Sequence, residues 1–153
     1  MRRLNHKIPP PIVAILLGAA MWAVARLFTP IHADPALRIG SALALVVLGI
    51  AVAVSGAIAF RRSKTTTNPL KPRAATSLVT GGIYRHTRNP MYLGVTLVLV
   101  GWAVYLAAPI ALLGPAIFVR FITQFQIIPE ELALTELFGQ QFIAYKSAVR
   151  RWL

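Results

Sequence analysis

From Asn89 to Val119 the chain carries no charged side chain. As one α-helix that stretch would be about 46 Å long, well beyond the roughly 30 Å hydrocarbon core of a bilayer. Ala107, Ala108 and Pro109 offer a break near its middle. The stretch therefore reads as two apolar helices, at about residues 90–106 and 110–128, joined by a tight hairpin. Pro115 is a point where the second helix can kink.

Two more apolar blocks precede the hairpin. The first, about residues 12–28, has the length of one span, with Arg26 near its end where a long side chain can snorkel to the headgroups. The second, about residues 36–60, has Arg38 at its edge. Its Gly40, Ala44, Gly49, Ala53, Gly56 and Ala57 would let neighbouring helices approach closely. The intervening turn ends in Asp34-Pro35, a helix-start signal. Arg2, Arg3 and Lys7 ahead of the first block resemble the start of a signal peptide. No convincing small-residue cleavage site follows, so the block reads as a retained span.

Composition agrees with a bilayer as solvent. Charged residues make up 13% of the chain, against roughly 25% in an average soluble protein. The net charge is +12, from 16 Lys and Arg against four acids. Such a balance usually suggests nucleic acid, but here the basic residues sit between apolar blocks. Topology and anionic headgroups account for them better, and nucleic acid is not an expected partner. The absence of cysteine excludes disulfides, thiolate catalysis and Cys-based metal sites. His6, His32 and His86 have no metal-ligand spacing, so no metal is expected.

The connection over residues 61–88 carries Arg61, Arg62, Lys64, Lys71, Arg73, Arg85 and Arg88, with Thr65–Pro69 and Pro72 marking irregular structure. A loop this long is uncommon unless it has a task. The N-terminal tail and the C-terminal tail are also basic, whereas the turns at 29–35 and 107–109 hold no Lys or Arg. Four spans with both termini in the cytoplasm satisfy every segment. The expected fold is thus all-α and polytopic: one domain over residues 1–153, with two spans in 1–60, a cytoplasmic loop in 61–89 and a helical hairpin in 90–128. In the tail, residues 129–153, Leu134, Leu137, Phe138, Phe142, Tyr145, Val149 and Trp152 recur at helical spacing, which suits an interfacial amphipathic segment interrupted at Gly139.

That topology gathers the unusual residues. The stretch from Gly81 to Tyr92 leads into the third span from the cytoplasmic side, and Glu130 and Glu131 leave the fourth on the same side. Pro90 suits a first helical turn, Asn89 can cap it, and Gly81 and Gly82 permit a tight turn. A well-capped helix alone does not explain Tyr84, Arg85, His86, Arg88 and Tyr92 beside it. Arg120 falls within the fourth span, with Thr123 and Gln124 on the same face. A charge there costs ~2.5 kcal/mol or more unless it is paired or faces a polar cavity. These groups reach as far as a polar ligand at the cytoplasmic membrane surface.

The same residues carry a resemblance. Gly82-Ile83-Tyr84-Arg85-His86-Thr87-Arg88-Asn89-Pro90-Met91-Tyr92 is similar to the G-x-Y-x-x-x-R-[HN]-P-x-Y signature of the isoprenylcysteine carboxyl methyltransferase and phospholipid methyltransferase superfamily. The hairpin follows, then Glu130-Glu131, then Leu134 to Tyr145, close to L-x-x-x-F-G-x-x-[YF]-x-x-Y, and the ending Val149-Arg150-Arg151-Trp152. The likeness covers about residues 76–153. Asn89 stands where carboxyl methyltransferases often have His, and Gln126 where many have Arg; Asn in the first motif is familiar among bacterial relatives.

The resemblance implies a methyltransferase of a bacterial inner membrane that uses S-adenosylmethionine and a lipophilic acceptor, either a small molecule or a lipid. It implies cofactor-binding positions at Tyr84, Arg88, Asn89, Tyr92, Glu130 and Glu131. A glutamate would meet the cofactor's amino group or ribose hydroxyls, Arg88 its carboxylate, and Tyr92 an edge. Methyl transfer from a sulfonium is an in-line displacement that needs positioning more than covalent chemistry. Arg120 is the candidate for orienting an anionic acceptor, and His86 for holding an amine neutral. The rivals are a non-catalytic scaffold, a small transporter of lipophilic cations, which would need an acid inside a span, and a related membrane reductase.

Overall fold

The computed structural model describes residues 8–63 and 77–153. The basic tail with Arg2, Arg3 and Lys7 and the loop stretch with Lys64, Lys71 and Arg73 lie outside the described residues. The described residues are helical, with no strand among them. The α-helices are α1 (Pro10–Ala25), α2 (Pro35–Arg62), α3 (Pro90–Leu106), α4 (Leu113–Ile122), α5 (Ile128–Phe138) and α6 (Gln140–Ala148). Short 3₁₀ turns at Gly82–Arg85 and Pro109–Leu112 precede α3 and α4.

Proline sets several of the starts. Pro10, Pro35 and Pro90 fall in first turns, where a missing N–H costs no hydrogen bond. Asp34 caps α2 by accepting from the Leu37 N–H at 2.9 Å. Ala107, at φ 51°, ends α3 in the left-handed conformation. Its carbonyl accepts from the Ile31 N–H at 2.7 Å, which ties the first turn to the hairpin.

The hairpin differs from the sequence expectation in its second arm. The helix does not stop near Ile128. One apolar helix continues from Pro109 to Phe138, through a five-residue π turn at Thr123–Ile127. The turn lies just ahead of Pro129, whose ring would otherwise clash with a carbonyl one turn earlier. An added residue in that turn lets the proline in without ending the helix. Pro115 sits in the first turn of α4, directly after the 3₁₀ segment, where the long helix passes from 3₁₀ to α geometry. The break that the sequence placed at Gly139 does occur there, with φ 51° between α5 and α6.

Two helices are long and apolar enough to cross a membrane, Pro35–Arg62 and Pro109–Phe138. α1 and α3 are apolar but shorter, with 16 and 17 residues. α2 lies along α3 with glycine at the contact. A Cβ on Gly49 would stand 2.5 Å from the Gly94 carbonyl oxygen, and one on Gly101 would stand 2.9 Å from that of Ala42. Gly56 packs against Pro90 and Met91 in the same way. Gly40 and Ala44 stay away from the contact; Gly40 faces open space and Ala44 is exposed. On the other side of α3, Val13, Met21, Leu99, Phe118, Ile122 and Ile127 form the apolar core shared by α1 and α4.

Candidate active site

The start of α3 is the framework of the site. The 3₁₀ turn Gly82–Arg85, with Gly82 at φ 61°, delivers the chain to Thr87 and Arg88. Thr87 is buried, and its hydroxyl accepts from the Asn89 N–H at 3.2 Å while donating to the Arg151 carbonyl at 3.3 Å. Asn89 does not cap α3 with its side chain, contrary to the sequence expectation. Its Nδ2 donates instead to that same Arg151 carbonyl at 2.9 Å, because the C-terminal segment lies across the helix start. The Arg88 N–H completes the strap with a 3.0 Å bond to the Arg150 carbonyl.

The ionic centre is built on Glu131. Arg88 Nη2 lies 2.9 Å from Glu131 Oε1, and Arg151 grips the same carboxylate at 3.0 Å from Nε and 2.7 Å from Nη2. The Arg88 and Glu131 side chains are only 9% and 11% exposed, so water screens their attraction little. Burial weakens the protonated state of Arg88, and Glu131 opposes that effect. The hydrogen bond from Arg151 to Glu131 raises Arg151 above its ordinary value. Arg88 Nη1 also donates to the Lys146 carbonyl at 3.2 Å, whereas its buried Nε–H has no acceptor among the described residues.

The neighbouring carboxylate is set apart. Tyr92 donates from its hydroxyl to Glu130 Oε1 at 2.6 Å. Tyr84 is buried edge-on against Phe60, with ring centroids 5.4 Å apart. Burial raises the Tyr84 phenol well above its ordinary range, with Tyr145 and Glu130 adding to the effect. The Tyr145 hydroxyl donates to the Tyr84 carbonyl at 2.8 Å, and burial pushes its own titration up to about 12. Both tyrosines therefore remain neutral donors at physiological pH.

Arg88, Asn89, Tyr92, Glu130 and Glu131 thus converge, and Tyr84 joins them through Tyr145. His86 and Arg120 do not. Both are exposed, and neither makes a described contact to the cluster. Arg120 Nη1 reaches Gln124 Oε1 at 3.4 Å, one turn along. It borders an open groove of about 510 Å³ between α3 and α4, lined also by Thr96, Pro115, Val119 and Thr123. Thr123 accepts from Trp152 Nε1 at 3.2 Å, so the groove runs up to the C-terminal strap. Gln126 sits buried behind, donating from Nε2 to the Ile8 carbonyl at 2.9 Å.

Sequence reasoning did not place Arg151, Tyr145 or Thr87 in the site. Their roles come from contacts distant in the chain: 64 residues for Thr87 to Arg151, 61 for Tyr145 to Tyr84 and 20 for Arg151 to Glu131. The signal that could have found them is the tail motif itself, which holds a cation, Arg151, in a segment otherwise suited to a surface.

Comparison with known proteins covers α2 to α5, short of the C-terminal strap. A family model described as phospholipid methyltransferase matches residues 37–141, more than half of the chain. The chain belongs to the phospholipid methyltransferase family. That bears out the resemblance read from the motifs. Among similar proteins are protein-S-isoprenylcysteine O-methyltransferases A and B of Arabidopsis thaliana, each 32% identical over 108 residues. The match covers 70% of this chain but only 54% of each plant protein, so the chain spans about half the length of these relatives. An uncharacterized protein of Haemophilus influenzae is 46% identical over 63 residues, which are 41% of this chain and all of that protein. No solved structure matches.

Proposed function

We propose that this chain is an S-adenosylmethionine-dependent methyltransferase at the cytoplasmic surface of a bacterial inner membrane, acting on a lipophilic acceptor. Four spans are assigned to α1, α2, α3 and the Pro109–Phe138 helix, with both termini cytoplasmic, following the positive-inside argument. The observation that carries the proposal is the division of labour between two adjacent acids. Glu131 is saturated by Arg88 and Arg151, whereas Glu130 meets Tyr92 alone among the described donors.

The donor set fits the cofactor. Its methionyl end carries a carboxylate and an ammonium, and its ribose carries hydroxyls. The buried, unpartnered Nε–H of Arg88 is a donor for the carboxylate. Glu130 is an acceptor for the ammonium or the hydroxyls, and Tyr92 orients it. Asn89 and Glu131 hold the backbone and guanidinium that surround the site, with Tyr84 forming an apolar wall. When bound, S-adenosylmethionine supplies an electrophilic methyl group on a sulfonium.

The rest is positioning by this chain's own groups. The open α3–α4 groove leads from Arg120 and Thr96 toward the Trp152–Thr123 contact. An acceptor with an apolar tail would lie along it, with Arg120 orienting an anionic head. His86, exposed beside the site, is available to take a proton from an amine acceptor. Whether the nucleophile is a carboxylate, thiol or amine decides which of the two residues matters.

Incubation of purified protein with methyl-labelled S-adenosylmethionine and a membrane extract is the test. Label transferred to an extractable lipophilic product is the expected result. Cofactor binding without any labelled product would favour a scaffold, and binding of reduced dinucleotide in its place a reductase.

A further inference from the structure

The end of the molecule opposite the Arg88–Glu131 cluster holds a second recess. α1, α2 and α3 splay apart there around a cleft of about 580 Å³, lined by residues that include Gly18, Trp22, Leu43, Val46, Val98 and Trp102. Its floor is fixed by one polar bond, from Trp102 Nε1 to the Gly18 carbonyl at 3.0 Å. That bond consumes the indole donor and leaves an apolar wall. Trp102 stacks on Tyr105 at 5.4 Å, which extends the aromatic surface to the rim.

The rim is cationic. Arg26 lies over the Trp22 ring at 5.0 Å, and Arg38 over the Tyr105 ring at 6.0 Å. Both rings line the cleft, so the two guanidinium groups stand at its mouth, one just past the end of α1 and one near the start of α2. Arg38 Nε is buried and has no hydrogen-bond acceptor among the described residues. Asp34, the nearby acid, is committed to capping α2 through the Leu37 N–H. Neither Arg26 nor Arg38 has a carboxylate partner among the described residues, and the cleft between them and α3 is lined by apolar surface.

We infer that this cleft binds an anionic phospholipid, with an acyl chain between α1, α2 and α3 and the phosphate between Arg26 and Arg38. A chain of methylenes suits a cleft without polar lining, and a phosphate supplies the acceptor that Arg38 lacks. Aromatic rings at the same level match the headgroup boundary, where amphipathic rings settle. The inference rests on this end lying at a membrane surface and not on methyl transfer, so the two stand or fall separately.

Tryptophan quenching by phospholipids brominated in the acyl chain tests it. Trp22 and Trp102 line the cleft, and Trp152→Phe removes the remaining tryptophan. In reconstituted protein, brominated phosphatidylglycerol should quench at a lower mole fraction than brominated phosphatidylcholine. Arg26→Gln and Arg38→Gln should each reduce that preference roughly fivefold. Gly18→Leu is a second, independent probe. Gly18 lines the cleft and a Cβ there meets no atom within 4 Å, so leucine is accommodated, narrows the cleft and should reduce quenching by phosphatidylglycerol while both arginines remain. Equal quenching by the two lipids, or a preference that survives loss of both arginines, overturns the inference. So does weak quenching by either lipid in a protein that runs as a dimer, since a second copy would then fill the cleft.

Discussion

α3 is held on two sides by opposite means. Along α2 the contact is made by removing side chains, so that Gly49, Gly94 and Gly101 bring backbone to backbone. Across its start the C-terminal segment is held by side chains that reach carbonyls and by the Arg88–Glu131–Arg151 cluster. The first surface is rigid and carries no charge. The second concentrates the polar groups of the described chain, at the end where the family motifs fall. A small membrane protein can thus keep its framework and its chemistry on separate faces of one helix.

The contrast is open to mutation. The largest effect is expected at the charged face. Glu131→Ala leaves Arg88 buried beside Arg151 without a carboxylate, at a cost of about 3–5 kcal/mol. Thermal unfolding in detergent should show it, and the loss should persist in high salt because the pair is shielded from water. Next comes the glycine face. Gly94→Val drives a side chain into α2 near Gly49 and Ala53, costing about 1–3 kcal/mol, with no dependence on salt. If salt rescues or worsens that variant, the two faces are less separate than described.

Glu130→Gln separates binding from folding. Glutamine still offers Tyr92 an oxygen but removes the charge, so unfolding should change little while cofactor affinity falls about tenfold, or ~1.4 kcal/mol. Binding by calorimetry and unfolding by heat, measured on one preparation, check both halves. The smallest effect is expected from Trp152→Phe, which loses one hydrogen bond to Thr123 at about 0.5–1.5 kcal/mol.

The sequence was most legible where one physical force dominates. The bounds of α3, Pro90–Leu106, follow from an uncharged run with proline at its start and Ala107-Ala108-Pro109 at its end. The second arm is less legible: hydropathy places its end near Ile128, whereas the helix runs on to Phe138 through the π turn at Thr123–Ile127, which no local pattern announces. In the site, a hairpin was enough to bring the Asn89 and Glu130 regions to one end. It could not tell which carboxylate is saturated, since that depends on Arg151, 20 residues beyond Glu131. Asn89 misled for the same reason: its local capping role gives way to a carbonyl 62 residues away. For Arg120, helix periodicity groups it with Thr123 and Gln124, but helix position alone does not say that this face opens on a groove away from the Arg88–Glu131 cluster.

Titration of S-adenosylmethionine into folded, detergent-solubilised protein, followed calorimetrically beside Glu130→Gln, tests the central claim most directly. Saturable one-site binding by the native chain, weakened about tenfold in the variant, is the result expected from the Tyr92–Glu130 and Arg88 arrangement. Absence of binding by native protein that unfolds cooperatively on heating would contradict it.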